Sequence, residues 1–275
     1  MGFLRLISSL IVITQILDFM RLTKVLTRSL KENGFCVIPN VLDSHSLENV
    51  REAMAKAIEK TKKRGHSTHI PGLDPNEQNV RVFNLLDLDP LFLELITHST
   101  ALDLVRYLIT EDFIISNFTA NIARPGSGSM TMHSDLSLVH PPPWTEPWSI
   151  NIMWVLDDSR EENGATRYLP GSHNFKNLSD LPDNAREKML PLEAKQGSII
   201  AMDGRLWHTS GENRTLSEER SLLFGYYTRS FLRPQWNYNV GLSKDTKSSL
   251  TPELQHWLGL GLTANAYTGD TSNHQ

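Results

Sequence analysis

The sequence predicts a mainly β domain with flanking helices (α+β), folded as a double-stranded β-helix, the jelly-roll or cupin-like barrel. Three observations carry that expectation. The first third of the chain has its apolar residues at helical spacing, the period then falls from 3.6 to 2 after Ile109, and the segments that follow are short and bounded by Gly, Pro, Asn or Asp. Helices first and some seven short strands afterwards fit helices packed outside a jelly roll.

A chain of 275 residues with 39% hydrophobic and 21% charged residues buries one sizeable core. Residues 20–275 read as a single domain, preceded by a separate apolar segment at 1–19. The net charge of −4 with dispersed Lys and Arg excludes the basic stripe of a nucleic-acid surface. The single cysteine, Cys36, rules out an intrachain disulfide and suits a reducing, intracellular and cytoplasmic setting. Within the run Phe35–Ile38 it reads as a buried structural thiol. Residues 3–20 are apolar, but Arg5, Ser8, Ser9, Thr14, Gln15 and Asp18 interrupt them and leave only Leu10–Ile13 unbroken. A spanning helix needs about 20 mostly apolar residues. Packing as a helix on the domain or a partner is the first reading of this segment, ahead of membrane-surface contact or a targeting role. A homodimer is compatible with the chain, which fixes no oligomeric state.

Along the chain, residues 20–33 form a helix closed by Gly34, and Phe35–Ile38 form a strand broken by Pro39-Asn40. Residues 46–63 carry Leu47, Val50, Met54, Ala57 and Ile58 on one helical face, with Gly65 as terminator. The polar, turn-rich 66–80 segment is too long for a plain connector and reads as a lid. Helices follow at 90–97 and 99–109, the second capped by Ser99 or Thr100. Strands are expected at 113–122, 129–135, 149–156, 166–169, 197–202, 205–209 and 220–229, with a hairpin at Asp203-Gly204. A last helix falls near 251–258.

His133-Ser134-Asp135 is the centre of the chemistry. On a strand, residues i and i+2 share a face, so an imidazole and a carboxylate would grip one ion side by side, a donor pair suited to iron(II). Alone, such a tripeptide arises often by chance. Leu206-Trp207-His208 supplies a third ligand from a neighbouring strand. Two histidines and one carboxylate form a facial triad that leaves three positions for a bidentate 2-oxo acid and O2. A 2-oxo diacid needs a cation for its far carboxylate, and Arg220 opens the last long strand, on one face with Leu222, Phe224 and Tyr226. His173, at the turn Pro170-Gly171-Ser172, reads as a structural hydrogen-bonder. The loop from His140 to Trp148 is scaffolding at the barrel mouth or, more sharply, a substrate wall of Trp144 and Trp148, which Tyr226 would join.

The runs His133-Ser134-Asp135, Asn163-Gly164-Ala165-Thr166-Arg167-Tyr168-Leu169-Pro170-Gly171-Ser172-His173 and Trp207-His208-Thr209-Ser210-Gly211-Glu212-Asn213, followed by Arg220, resemble the phytanoyl-CoA dioxygenase family over roughly residues 25–260. That resemblance implies Fe(2+) on His133, Asp135 and His208, and 2-oxoglutarate anchored by Arg220. It also implies co-substrate contacts from Thr166 and Ser210. One departure stands out: several relatives carry Gln three residues before the first ligand, where this chain has Met130, and Asn121 is the substitute contact considered. The reaction expected is oxidation of an apolar small molecule, by hydroxylation, desaturation or rearrangement, with a terpenoid, polyketide or alkaloid intermediate favoured. An acyl-CoA substrate is the rival reading, for which the basic run Lys60–Arg64 would serve the phosphates. A non-oxidative cupin-like protein or isomerase is the rival of another class, against which Arg220 with Thr166 speaks.

Overall fold

The computed structural model describes residues 27–260. Expectations for the apolar 1–19 segment and for the start of the 20–33 helix lie outside the described residues. Six strands form one antiparallel sheet in the order β1 (Phe35–Ile38), β7 (Ile199–Asp203), β4 (Ser149–Val155), β9 (Arg220–Arg229), β3 (Phe113–Ala123) and β2 (Asn79–Val82). A second sheet runs β6 (Leu190–Pro191), β5 (Arg167–Tyr168), β8 (His208–Thr209).

The large sheet is covered on both faces, so its strands read as almost continuous apolar runs. Along β4, Ile150, Ile152 and Trp154 join the core against the helices Ser44–Lys63, Leu91–Ile96 and Ser99–Ile109, while Met153 and Val155 pack with Leu222 and Leu206 between the sheets. In β9, Leu223 and Tyr227 face the helices, whereas Arg220, Phe224 and Tyr226 face the interior. Cys36 lies in the helix-side core, and burial pushes its thiol up to about 12, which leaves it inert as a nucleophile.

A bulge in β3 sets the lining of the interior. The register slips between Ile115 and Asn117, so Ser116 is an extra residue. Phe113 and Ile115 therefore reach the helix-side core together with Phe118, Ala120 and Ile122. Asn117, Thr119 and Asn121 are left as the interior row.

Four expectations are corrected. Residues 129–135 are not a strand: the segment is irregular, Asp135 opens a 3-10 turn to Leu138, and only an isolated bridge pairs His133 with His208. Asp203-Gly204 does not close a hairpin, because β7 and β8 belong to different sheets; the turn hands the chain from one sheet to the other. The cap of helix Ser99–Ile109 is His98, whose Nδ1 accepts from the Thr100 amide at 3.2 Å. Burial lowers the pKa of His98 and keeps the neutral ring that can accept. The 66–80 segment is tied down rather than free. Asp74 accepts from the Ile70 amide (3.0 Å) and pairs with Arg81 (2.6 Å), Asn76 holds the Gly126 carbonyl (3.0 Å), and Asn79 clamps Gly128. The segment ends in β2, a strand too short to stand out in the sequence.

Gly204 is where this architecture tolerates no side chain. A Cβ there would lie 1.8 Å from Ser149 Oγ, while the Gly204 amide bonds Ser149 O (3.0 Å) and its carbonyl accepts from the Leu136 amide (2.8 Å). Gly204→Ala should destabilise the fold by about 1–3 kcal/mol, as overpacking in a filled interior does. The measurement is the denaturant midpoint, and an unchanged midpoint would refute the packing described.

Candidate active site

The irregular segment after β3 is drawn to the small sheet by two backbone hydrogen bonds. The His133 amide donates to His208 O at 3.0 Å, and the His208 amide donates to His133 O at 2.8 Å. This reciprocal pair puts the two imidazoles side by side, with ring centroids 4.5 Å apart. Each Nδ1 lies 2.9 Å from a backbone carbonyl, that of Thr131 for His133 and that of Leu206 for His208. Carbonyls only accept, so each ring carries its proton on Nδ1 and turns the Nε2 lone pair outward. Burial also pushes the His208 imidazolium down, which favours the neutral ligand form.

Both Nε2 atoms stand 3.9 Å from the same oxygen, Asp135 Oδ1. Asp135 is aimed there by its 3-10 turn, which Ser134 caps through the Ser137 amide (3.1 Å), and by Asn151, whose Nδ2 donates to Oδ2 at 3.2 Å. Among the described residues, these three side chains are the group whose ligand atoms lie within 4.8 Å of one another. Two outward nitrogen lone pairs and one carboxylate oxygen, already fixed by their outer hydrogen bonds, fit a first-row divalent metal. His173 lies elsewhere, buried against Gly34.

A cavity of about 520 Å³ opens onto the three side chains, within the range of small-molecule sites. Arg220 lies deep in it, 1% exposed. Its Nε donates to Gly164 O (3.0 Å) and its Nη1 to Asn121 Oδ1 (3.3 Å). It forms no direct ion pair with any described carboxylate; burial lowers its pKa to about 10, offset in part by the more distant Asp157 carboxylate and reinforced by Arg81, and it is still charged at neutral pH. A buried charge that lacks a counter-ion is costly, so an anionic ligand is the partner this guanidinium fits.

The structure brings Arg220, Thr166, Ser210, Asn121 and Tyr226 to the cavity wall with His133, Asp135 and His208. Ser210 Oγ also accepts from the Met130 amide at 3.1 Å. It does not bring Trp144 or Trp148 there. Trp144 is buried with Leu136, Leu169 and Trp207 and donates to Val139 O (2.8 Å), and Trp148 stands edge-on to Phe231. Aromatic size made both visible in the sequence, but nothing there fixed the direction of their loop. Leu73 and Leu138, both exposed, join Phe224 and Tyr226 at the cavity instead. Sequence reasoning also missed Asn151, Asn117 and Arg81. Arg81 Nη2 lies 2.8 Å from Met130 Sδ, and alternation in Val80-Arg81-Val82 was the signal that would have turned it inward.

Comparison with known proteins agrees with this geometry. A dioxygenase of Aspergillus fumigatus, af480, is 43% identical over 241 residues, covering 88% of this chain and 78% of that one. The dioxygenase FUM3 of Gibberella moniliformis is 27% identical over 83% of this chain and 79% of its own. Among solved structures, HygX from Streptomyces hygroscopicus, crystallised with nickel and 2-oxoglutarate, superposes with a TM-score of 0.62 at 20% identity, over 77% of this chain and 89% of that one. SnoN, an alpha-ketoglutarate-dependent epimerase from nogalamycin biosynthesis, gives 0.62 at 18% identity, over 79% and 85%. These two likenesses establish the jelly-roll fold. The family model described as phytanoyl-CoA dioxygenase matches residues 30–221, and with that match and the 43% identical relative the chain belongs to the phytanoyl-CoA dioxygenase family.

Proposed function

We propose that this chain is a non-haem iron(II)- and 2-oxoglutarate-dependent dioxygenase that oxidises an apolar small molecule, a terpenoid, polyketide or alkaloid intermediate. The observation that carries the reading is the placement of a buried arginine without a counter-ion in the same cavity as a preorganised His-Asp-His triad. His133, Asp135 and His208 would hold the metal. A ferrous ion bound there, with 2-oxoglutarate, supplies activation of dioxygen and removal of hydrogen from an unactivated carbon.

The protein's own part is binding and orientation. Arg220 fixes the far carboxylate of the co-substrate, and Asn121 holds the guanidinium from behind. Thr166 and Ser210 offer hydroxyls on the same wall. Asn151 keeps Asp135 from rotating, and the Nδ1 carbonyl contacts keep both rings in the metal-binding tautomer. A plain cupin has no need of a buried diacid anchor. The acyl-CoA reading gains no support from the basic run at the end of helix Ser44–Lys63, because Lys60, Lys62, Lys63 and Arg64 all lie off the cavity. Lys60 bonds Leu88 O (2.6 Å), Lys62 pairs with Glu59, and Arg64 pairs with Asp87. An intracellular, cytoplasmic place of action belongs to the same proposal, supported by the lone buried thiol.

Anaerobic addition of iron(II) and 2-oxoglutarate should produce a weak visible charge-transfer band, lost in Asp135→Ala; a full band in that variant would remove the triad from the account. Arg220→Gln should raise the KM for 2-oxoglutarate, read as succinate release, by roughly 30-fold to several thousand-fold, the range for removing one partner of a buried charge pair. Arg220→Lys should recover only part of this loss, since an ammonium lacks the planar fork. An unaltered KM in both variants would place the anchor elsewhere.

A further inference from the structure

The end of the cavity remote from Arg220 carries a pair of carboxamides. Asn117 Nδ2 donates to Gln235 Oε1, and both residues line the cavity. The β3 bulge creates this pair. It turns Asn117 inward, and the extra residue, Ser116, accepts the Gln235 amide on its Oγ (2.9 Å) and the Trp236 amide on its carbonyl (3.0 Å). After their mutual bond, the two side chains keep one acceptor and one donor group. Asn117 Oδ1 is buried and has no partner, and Gln235 Nε2 has none among the described residues. Exchanging oxygen and nitrogen in both amides leaves the same complement, one donor group and one acceptor.

We propose that Asn117 and Gln235 form the substrate's polar anchor, and that they take an alcohol: the hydroxyl donates to Asn117 and accepts from Gln235. A ketone or ether would accept only, leaving the buried Asn117 oxygen unsatisfied at a cost. An anionic head does not fit. Of the lining residues, the two arginines stand at the other end, Arg81 paired with Asn121 in the β2–β3 register and Arg220 with Ala123, so Asn121 is about 14 Å along β3 from Asn117.

The register also sets the distance from this anchor to the chemistry. Asn117 pairs with Tyr226, and Tyr226 pairs with Asn151, the residue that holds Asp135. Two strand spacings are about 10 Å, so the hydroxyl sits on the order of 10 Å from the metal-binding carboxylate. Between them lie Phe224 and Tyr226, with Leu73 and Leu138 also lining the cavity. The substrate class is therefore a hydrocarbon skeleton bearing a hydroxyl remote from the carbon that is oxidised. This inference rests on the dioxygenase reading above and assigns the substrate end of that site.

The test uses the full chain with iron(II) and 2-oxoglutarate, without oxygen, and two probes of matched carbon skeleton, the tricyclic sesquiterpene alcohol cedrol and the hydrocarbon cedrene. The visible band before any probe is added reports on the metal and co-substrate reading; its absence counts against that reading, while its presence lets the anchor be judged separately. Dissociation constants then come from the perturbation of the band and from tryptophan fluorescence. Cedrol should bind about tenfold more tightly than cedrene, the gain expected of one good hydrogen-bonded pair. Asn117→Leu and Gln235→Leu should each collapse that preference toward unity, whereas Asn117→Asp, which keeps the acceptor, should retain it. A protein that shows the band yet binds the two probes equally, or binds neither, overturns the proposal, as does a preference that survives in both leucine variants.

Discussion

Everything at the site depends on one reciprocal backbone pair, the two hydrogen bonds between His133 and His208. These bonds set two histidines, distant in sequence, side by side. An isolated bridge is a weak element by itself, so its neighbours fix it. The Met130 carbonyl accepts from Thr209 Oγ1 (2.6 Å) and Arg186 Nη2 (3.0 Å), its amide bonds Ser210, and Leu136 is tied to Gly204 on the far side of Asp135. The donor geometry is thus set by backbone bonds on both flanks. The side chains only have to point.

The same backbone economy explains what the large sheet is for. Its outer face is satisfied by helices, which frees its inner face to carry polar residues at a few chosen levels. Asn121, Thr119 and Asn117 descend β3 as one row, and Arg220, Phe224 and Tyr226 face them along β9. Polar groups in a filled interior are tolerated only with partners. Asn121 has Arg220 and the Asn151 amide nitrogen has Asp135, whereas the Asn117 and Asn151 oxygens and the Arg220 charge keep unmet capacity. Unmet capacity in a buried wall marks where a ligand completes the structure.

Much of this was legible in the sequence where periodicity is strong. β9 begins at Arg220 and ends at Arg229 as its alternation predicts, and helix Ser99–Ile109 keeps its expected bounds. His133, Asp135 and His208 were singled out for a reason only half correct. His133 and Asp135 do converge, yet not as i and i+2 of a strand, since one sits in a bridge and the other opens a 3-10 turn. The Pro125-Gly126-Ser127-Gly128-Ser129 run before them warned against regular structure, and its path is dictated by Asn76 and Asn79, which no local pattern reveals. β2 was hidden because the alternation of Val80-Arg81-Val82 is only three residues long and follows a polar, turn-rich segment, and Arg81 was hidden with it. The bulge at Ser116 was invisible for a similar reason. An apolar run that faces core on both sides looks the same in either register.

Met130 shows how such a site absorbs a change in its lining. Where the family resemblance leads one to expect an amide, this chain puts a thioether, a weak acceptor, against Arg81 Nη2. Arg81 is not left as a second free cation, because the fully buried Asp74 carboxylate neutralises it at 2.6 Å. The fixed charges facing the cavity then come to one carboxylate from Asp135 and one guanidinium from Arg220, which cancel. A divalent metal on the triad leaves the cavity at about two positive charges, and a 2-oxo diacid, ionised at both ends, brings two negative ones. If Arg220 anchors the co-substrate as proposed, the pairing of Asp74 with Arg81 shapes that selection with it. An unpaired Arg81 would overcharge the cavity for a dianion, and an absent one would leave Asp74 buried and repelling it.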